Sequence, residues 1–251
     1  MNDAAAGGAD QSTQGGTLRP EVVVFDVNET LSDLSPMGQL FGDIGAPQHL
    51  AATWFAGLLR DGFALTAAGT CPSFAELAAG LLRVQLASLT LHRDLEASVA
   101  HLMQSFNDLP LHPDVVPGIN ALAEAGLRLV TLTNGAASVA AGLFERAGIR
   151  GRFEQLLSVE EAGVWKPAAG SYGYALRQCD VAPSAALLVA VHPWDIDGAH
   201  RAGLTTAWVN RAGAPYPGHF ERPDVEVASL IELASLIRAR PQQDRGRAAT
   251  K

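Results

Sequence analysis

The chain has 251 residues, 48% hydrophobic and 18% charged, which is ample for a sizeable core and argues against global disorder. A formal net charge of −8 speaks against a nucleic-acid or anionic-membrane surface, and no apolar run approaches the ~20 residues that span a bilayer. Two cysteines, Cys71 and Cys179, do not make a disulfide framework; with no signal-peptide pattern near Met1, a soluble protein of the reducing cytoplasm is expected.

In chain order, residues 1–18 are rich in Ala, Gly, Ser and Gln and read as a flexible tail. The first element is the apolar run Val22-Val23-Val24-Phe25, which stops at Asp26, Asn28, Glu29 and Thr30. A buried central strand of a parallel sheet has this form when it delivers polar groups to its carboxyl edge, and the ligand crevice of an open α/β sheet lies outside that edge. Taken alone, Asp26 reads either as a site acid or as a turn cap with Asn28 and Thr30 as turn formers.

Residues 35–113 read as helices with no strand among them. Pro47–Arg60 carries Leu50, Trp54 and Leu58 at helical spacing. Ser73 with Glu76 three residues on forms a capping-box pattern for a helix ending near Ser88, and a further helix covers Asp94–Phe106. Strand and helix then alternate. A helix over Val115–Ala125 stops at Gly126, a strand over Leu127–Thr133 ends in Asn134-Gly135, and a helix over Ser138–Ala147 stops at Gly148. A strand over Gln155–Val159, a helix over Ala168–Gln178 and a strand over Ala185–Val191 follow, the last running into His192-Pro193-Trp194-Asp195. Gly198–Gly203 lies in a helix, Leu204–Val209 in a strand, and Val225–Ile237 holds a final strand and helix.

The expected fold class is α/β: a Rossmann-like parallel sheet covered by helices on both faces, with a helical cap subdomain, 35–113, inserted after the first strand. The core domain then comprises 19–34 and 114–238, and 239–251 is a second flexible tail.

Three strand ends carry polar clusters, Asp26/Asn28/Thr30, Thr133/Asn134 and His192/Asp195, and Lys166 sits between a short strand and a helix. An Asp after strand one with Thr four residues on, a Thr-Asn, a Lys-Pro and an Asp beyond a further strand resemble the four motifs of the haloacid dehalogenase superfamily. Within it the pattern is most similar to the type II L-2-haloacid dehalogenases, from about Glu21 to Arg211. Supporting marks are Leu157-Ser158-Val159, Tyr172 six residues after Lys166, Trp194-Asp195 followed by Gly198-Ala199, and Trp208-Val209-Asn210-Arg211.

The resemblance implies a cofactor-independent, metal-free hydrolase of small 2-haloalkanoic acids. Asp26 would attack the carbon bearing the halogen, expel halide and form an aspartyl ester that water hydrolyses. Thr30 and Thr133 would orient carboxylate oxygens, Lys166 would hold Asp26 ionised, and Asp195 would position or activate the water. Val27, Phe55, Asn134, Tyr172 and Trp194 are the substrate-side residues, Asn134 toward the halide. The partner is a small carboxylate, with neither nucleic acid nor membrane, and a homodimer through the cap helices fits the resemblance.

Four positions depart from the family pattern. Phe55 stands for the halide-binding arginine, which removes a charge-assisted contact; His49 and Arg60 are weak substitutes that read as surface residues. Glu29, expected to point outward, stands for a glycine. Ala190 and His192 stand for Ser and Asn, and a histidine there can take a proton from the hydrolytic water or be fixed against a turn by Pro193. Two further readings remain open. A magnesium-dependent phosphatase of the same superfamily is disfavoured by Asn28 and Val191 where acids are needed; Asp197, the one substitute acid two residues beyond Asp195, reads as pointing away. A non-catalytic binding relative is the third. The remaining acids Asp108, Asp114, Glu160 and Glu161 read as solvated, and His92, His101, His112, His200 and His219 show no ligand spacing.

Overall fold

A computed structural model describes residues 19–238; the two expected tails, 1–18 and 239–251, lie outside the described residues. Six parallel strands, β1 (Val22–Phe25), β2 (Arg128–Thr133), β3 (Gln155–Ser158), β4 (Ala186–Ala190), β5 (Thr205–Val209) and β6 (Val225–Val227), form one sheet in the order β3-β2-β1-β4-β5-β6. β1 is central, paired with β2 through Val24↔Val130 and with β4 through Val24↔Leu188. All four residues of β1 are buried, so it has no polar alternation and ends in polar groups only where the sheet ends. The order reverses at β1, between β2 and β4, which is the switch point where such sheets open a crevice.

One face of the sheet is covered by α5 (Val115–Glu124), α6 (Ala137–Arg146) and α10 (Leu230–Arg238), which bury Ile119, Phe144 and Leu233 against Val23, Phe25 and Val189. The other face carries α8 (Ala169–Cys179) and α9 (Pro193–Arg201). Between β1 and α5 come α1 (Met37–Asp43), α2 (Leu50–Ala67), α3 (Phe74–Leu86) and α4 (Leu95–Asn107). These four helices share one apolar cluster with the α8/α9 face, running from Val24 and Leu188 to Trp54, Leu82 and Phe106.

The expected element types are present, with differences that have local causes. Ser73 caps α3 through the complete capping box with Glu76, and Asp94 caps α4 by accepting from the Ala97 N–H. The helix begun at Pro47 runs on to Ala67, since nothing breaks it before Gly69, whose φ is 86°. α1 and the four-residue α7 (Val159–Ala162) are too short for a periodic signal and were not expected. The insertion is anchored by a pinched stem: Ser32 bridges Leu111, and the Asp33 and His112 N–H groups donate to Pro110 and Leu31 carbonyls at 2.8 and 3.0 Å. No helix among the described residues is long and apolar enough to cross a membrane. Cys71 and Cys179 are both free, Cys179 buried and Cys71 only half-buried.

Candidate active site

The ends of β1, β2 and β4 and the loop before α8 converge on one buried ionic cluster. Asp26 follows β1 directly and its N–H donates to the Val189 carbonyl at 3.0 Å, which fixes its backbone to β4. The Lys166 ammonium donates to Asp26 Oδ1 at 2.9 Å and to Asp195 Oδ2 at 2.6 Å. Thr30 Oγ1 donates to Asp26 Oδ2 at 2.6 Å and itself accepts the Val191 N–H at 3.1 Å. Tyr172 donates to Asp195 Oδ1 at 2.6 Å. His192 closes the cluster, with Nδ1 3.2 Å from Asp26 Oδ2 and Nε2 2.8 Å from Glu29 Oε2.

Lys166 reaches this depth because its neighbour is clamped. The Trp165 indole N–H donates to the Pro72 carbonyl at 3.0 Å, its backbone N–H meets Thr66 Oγ1 at 3.3 Å, and its ring stacks on Phe74. The Lys166 N–H donates to Asn134 Oδ1 at 2.9 Å, so β2 and the insertion jointly set the loop that carries the ammonium.

Burial would raise the Asp26 pKa, but Lys166, His192 and Thr30 outweigh it and hold the carboxyl well below its usual range. Burial also raises Asp195, and the nearby Asp26 charge adds to it; Lys166 and Tyr172 offset this only in part, leaving it above the ordinary value. Of the two carboxylates, Asp26 has the larger set of donors and is the firmly ionised one. Burial would strip the proton from Lys166, yet Asp195 and Asp26 together keep it an ammonium. His192 is pushed up to about 9: burial opposes the charge, and the Asp26 and Glu29 carboxylates more than reverse it.

Asp26, Thr30, Lys166, His192 and Asp195 thus meet in one cluster, and three expectations are corrected. Thr133 Oγ1 accepts the Gly135 N–H at 2.9 Å and holds the turn after β2, its hydroxyl oxygen turned to its own backbone and not bonded to a carboxylate. Val27 points away from the crevice and packs with Phe25 and Leu31 in the α5/α10 layer, because strand-like alternation puts it on the face opposite Asp26. Glu29 turns inward to His192 instead of outward to solvent.

Asn134 is buried, and its amide bonds both backbone groups of Lys166. Phe55 on α2 and Trp194 on α9 both stack on the His192 ring, at 6.5 and 4.9 Å between centroids, and Phe63 meets Trp194 edge-on. No cation comes from α2: Arg60 is exposed and paired with Asp61, and His49 is exposed. Asp197 pairs with Arg201. Sequence reasoning missed three supports. Asp114 is not solvated but binds the Arg211 guanidinium at 2.9 and 3.1 Å and accepts the Leu230 N–H; Arg211 also donates to the Thr30 carbonyl, and His112 Nε2 donates to the Glu29 carbonyl at 2.9 Å. Only the capping type of Asp114, one residue before a helix, gave any prior signal.

The residues do not fit a divalent cation. Mg²⁺ needs several hard oxygen ligands in near-octahedral order, and here the Lys166 ammonium lies between the Asp26 and Asp195 carboxylates. Val191 and Asn28 supply no third acid, and among the described residues no group of three or more His, Cys, Asp or Glu side chains is arranged to hold a metal.

Residues 20–203 match the family model of haloacid dehalogenase-like hydrolases. The chain is 26% identical to haloacetate dehalogenase H-2 of Moraxella sp. (strain B), over 86% of this chain and 97% of that protein. It is 29% identical to (S)-2-haloacid dehalogenase 1 of Pseudomonas sp. (strain CBS-3), over 85% and 95%. Among solved structures, the L-2-haloacid dehalogenase of Xanthobacter autotrophicus with chloropropionic acid covalently bound superposes with a TM-score of 0.79 at 25% identity, covering 88% of this chain and all of that one.

Proposed function

The chain belongs to the haloacid dehalogenase-like hydrolases, and we propose that within this family it hydrolyses small 2-haloalkanoic acids to 2-hydroxy acids through an ester on Asp26. In the first step an Asp26 oxygen bonds to C2 of the substrate while the carbon–halogen bond breaks and halide leaves. A buried carboxylate kept ionised by protein donors is a competent nucleophile, and Lys166 and Thr30 hold its two oxygens in fixed directions. In the second step water bonds to the Asp26 carboxyl carbon, the ester bond breaks, and the hydroxy acid departs. Lys166 also stabilises the negative charge that builds on the carboxyl oxygen as water adds.

The observation that carries this reading is the Asp26–Lys166–Asp195 triad, in which an ammonium bonds both inner carboxylates. It favours carbon–halogen displacement over magnesium-assisted phosphoryl transfer, which the donor set does not fit. Relatives named as haloacetate and (S)-2-haloacid dehalogenases support the same choice.

The test is a single turnover with excess enzyme and 2-chloropropionate in heavy-oxygen water, followed by mass analysis of the Asp26 peptide. Label is expected in the Asp26 carboxylate, with ordinary oxygen in the first product. Halide release is expected to persist in EDTA and to vanish in Asp26→Asn. Label appearing first in the product, or chelator-sensitive turnover of phosphate esters without halide release, would refute the reading.

A further inference from the structure

Glu29 has a φ of 62°, in the left-handed region where a β-carbon crowds the backbone and residues other than Gly, Asn and Asp are uncommon. Strain of this kind persists where surroundings hold it. Here His112 fixes the Glu29 carbonyl, and the conformation aims the carboxylate at His192 Nε2. The side chains of Asp26, His192 and Glu29 are 5%, 12% and 41% exposed in that order. His192 and Glu29 line a cavity of about 660 Å³ between α1, α2 and the segment after β5, and Asp26 does not. The chain Asp26–His192–Glu29 therefore leads from the buried nucleophile to open space.

We propose that Glu29 and His192 form the base for ester hydrolysis, and that ester formation itself switches this base on. The proposal rests on the covalent reading above. While Asp26 is a carboxylate, the imidazole lies between two anions and carries both protons. Esterification removes the Asp26 charge, so the ring keeps one anionic neighbour and sheds one proton to the cavity. Glu29 retains the remaining proton on Nε2, which leaves the Nδ1 lone pair facing the ester.

As water oxygen bonds to the Asp26 carboxyl carbon, Nδ1 takes one of its protons. The ester C–O bond then breaks, and the departing alkoxide takes that proton to become the alcohol. The second water proton, left on the restored Asp26 carboxyl, passes to Nδ1, and carboxylate and imidazolium are regenerated. The cycle consumes one water and releases one halide and one proton, as hydrolysis of a carbon–halogen bond requires. Of the other charged or titratable groups around the ring, Lys166 is committed to Asp26 and Asp195, Arg211 to Asp114, and Asp33 and His112 sit on the cavity wall; Phe55 from α2 and Trp194 from α9 stack on the ring as uncharged groups.

Single turnovers with excess enzyme and 2-chloropropionate, quenched at intervals, separate ester formation from ester hydrolysis by the mass of the Asp26 peptide. In His192→Asn ester hydrolysis should slow about 10²–10³-fold, while the halide burst, still supported by Lys166 and Thr30 on Asp26, should fall far less, so that ester accumulates. Glu29→Gln should slow hydrolysis roughly tenfold and move the rising limb of its pH profile to lower pH, since removing an anion makes the ring a weaker base. Glu29→Asp should restore part of both. A purely structural role for Glu29 would not move that limb. Wild-type ester hydrolysis in His192→Asn, an unshifted profile in Glu29→Gln, or a halide burst lost in step with hydrolysis would each overturn this proposal while leaving the aspartyl-ester reading intact. A wild type that yields neither halide nor ester overturns that reading and this one with it.

Discussion

Two residues of the cluster, the partly buried His192 and the fully buried Lys166, make the site's electrostatics measurable in stability. His192 rises from 6.5 to about 9 on folding. A folded value above the unfolded one stabilises fully below pH 6.5 and is lost as pH rises through about 9, a contribution of up to ~3 kcal/mol. Urea unfolding at pH 6.5 and 9.5 should show that loss, and His192→Asn should flatten it. Lys166 acts in the opposite sense when removed. Lys166→Met leaves Asp195 buried without its counter-charge and facing an Asp26 that keeps only His192, at about 3–5 kcal/mol. Turnover should vanish. Because one of the paired acids can then take a proton, the deficit against wild type should shrink between pH 7.5 and pH 5; an equal deficit at both would argue against charge as its cause.

At the level of elements, the loop that carries Lys166 is set by α2 and α3. A methyl group on Gly62 would collide with the Trp165 ring, whereas one on Gly57, in the same helix, would have only the Arg60 guanidinium nearby, at 3.9 Å. Gly57→Ala should therefore stabilise by up to ~1 kcal/mol through helix propensity. Gly62→Ala gains the same propensity but must displace Trp165, a net cost of about 1–3 kcal/mol. Thermal melts of the two variants should move in opposite directions, and only Gly62→Ala should slow ester formation, because Lys166 moves with its neighbour. This coupling also marks what the sequence could convey. Strands β1, β2 and β4 and the capped helices α3 and α4 are legible because their signals are local: unbroken apolar runs, Ser73 with Glu76, Asp94. The Asp26, Lys166 and Asp195 constellation was legible only as a pattern of motif residues, since its bonded members lie 140 and 29 positions apart. The inward turn of Glu29 was not legible. It depends on a positive φ and on partners at His112 and His192 that no local rule links to it. Thr133 and Asp114 were misread for the same reason: a hydroxyl or carboxylate near an element end has several nearby groups to bond, and the packing of α5, α10 and β2 selects among them.

For the whole molecule, the question is whether the inserted helices unfold apart from the sheet. The apolar cluster gives the answer: it is continuous from Val24 and Leu188 on the sheet, through Trp165 and Phe74, to Trp54, Leu82 and Phe106 inside the insertion. Leu82 is fully buried there, on α3 of the insertion. Leu82→Ala should cost about 2–5 kcal/mol. If insertion and sheet are one cooperative unit, circular dichroism at 222 nm and tryptophan fluorescence should fall together in wild type, and the substitution should shift that single transition as a whole. Heat inactivation should track the same midpoint, because Lys166 is held by Asn134 at the end of β2 and, through its neighbour Trp165, by Pro72 of the insertion. A two-phase melt in which Leu82→Ala moves the first phase alone, with dichroism of the sheet surviving it, would instead mean that the helices covering the crevice have a stability of their own.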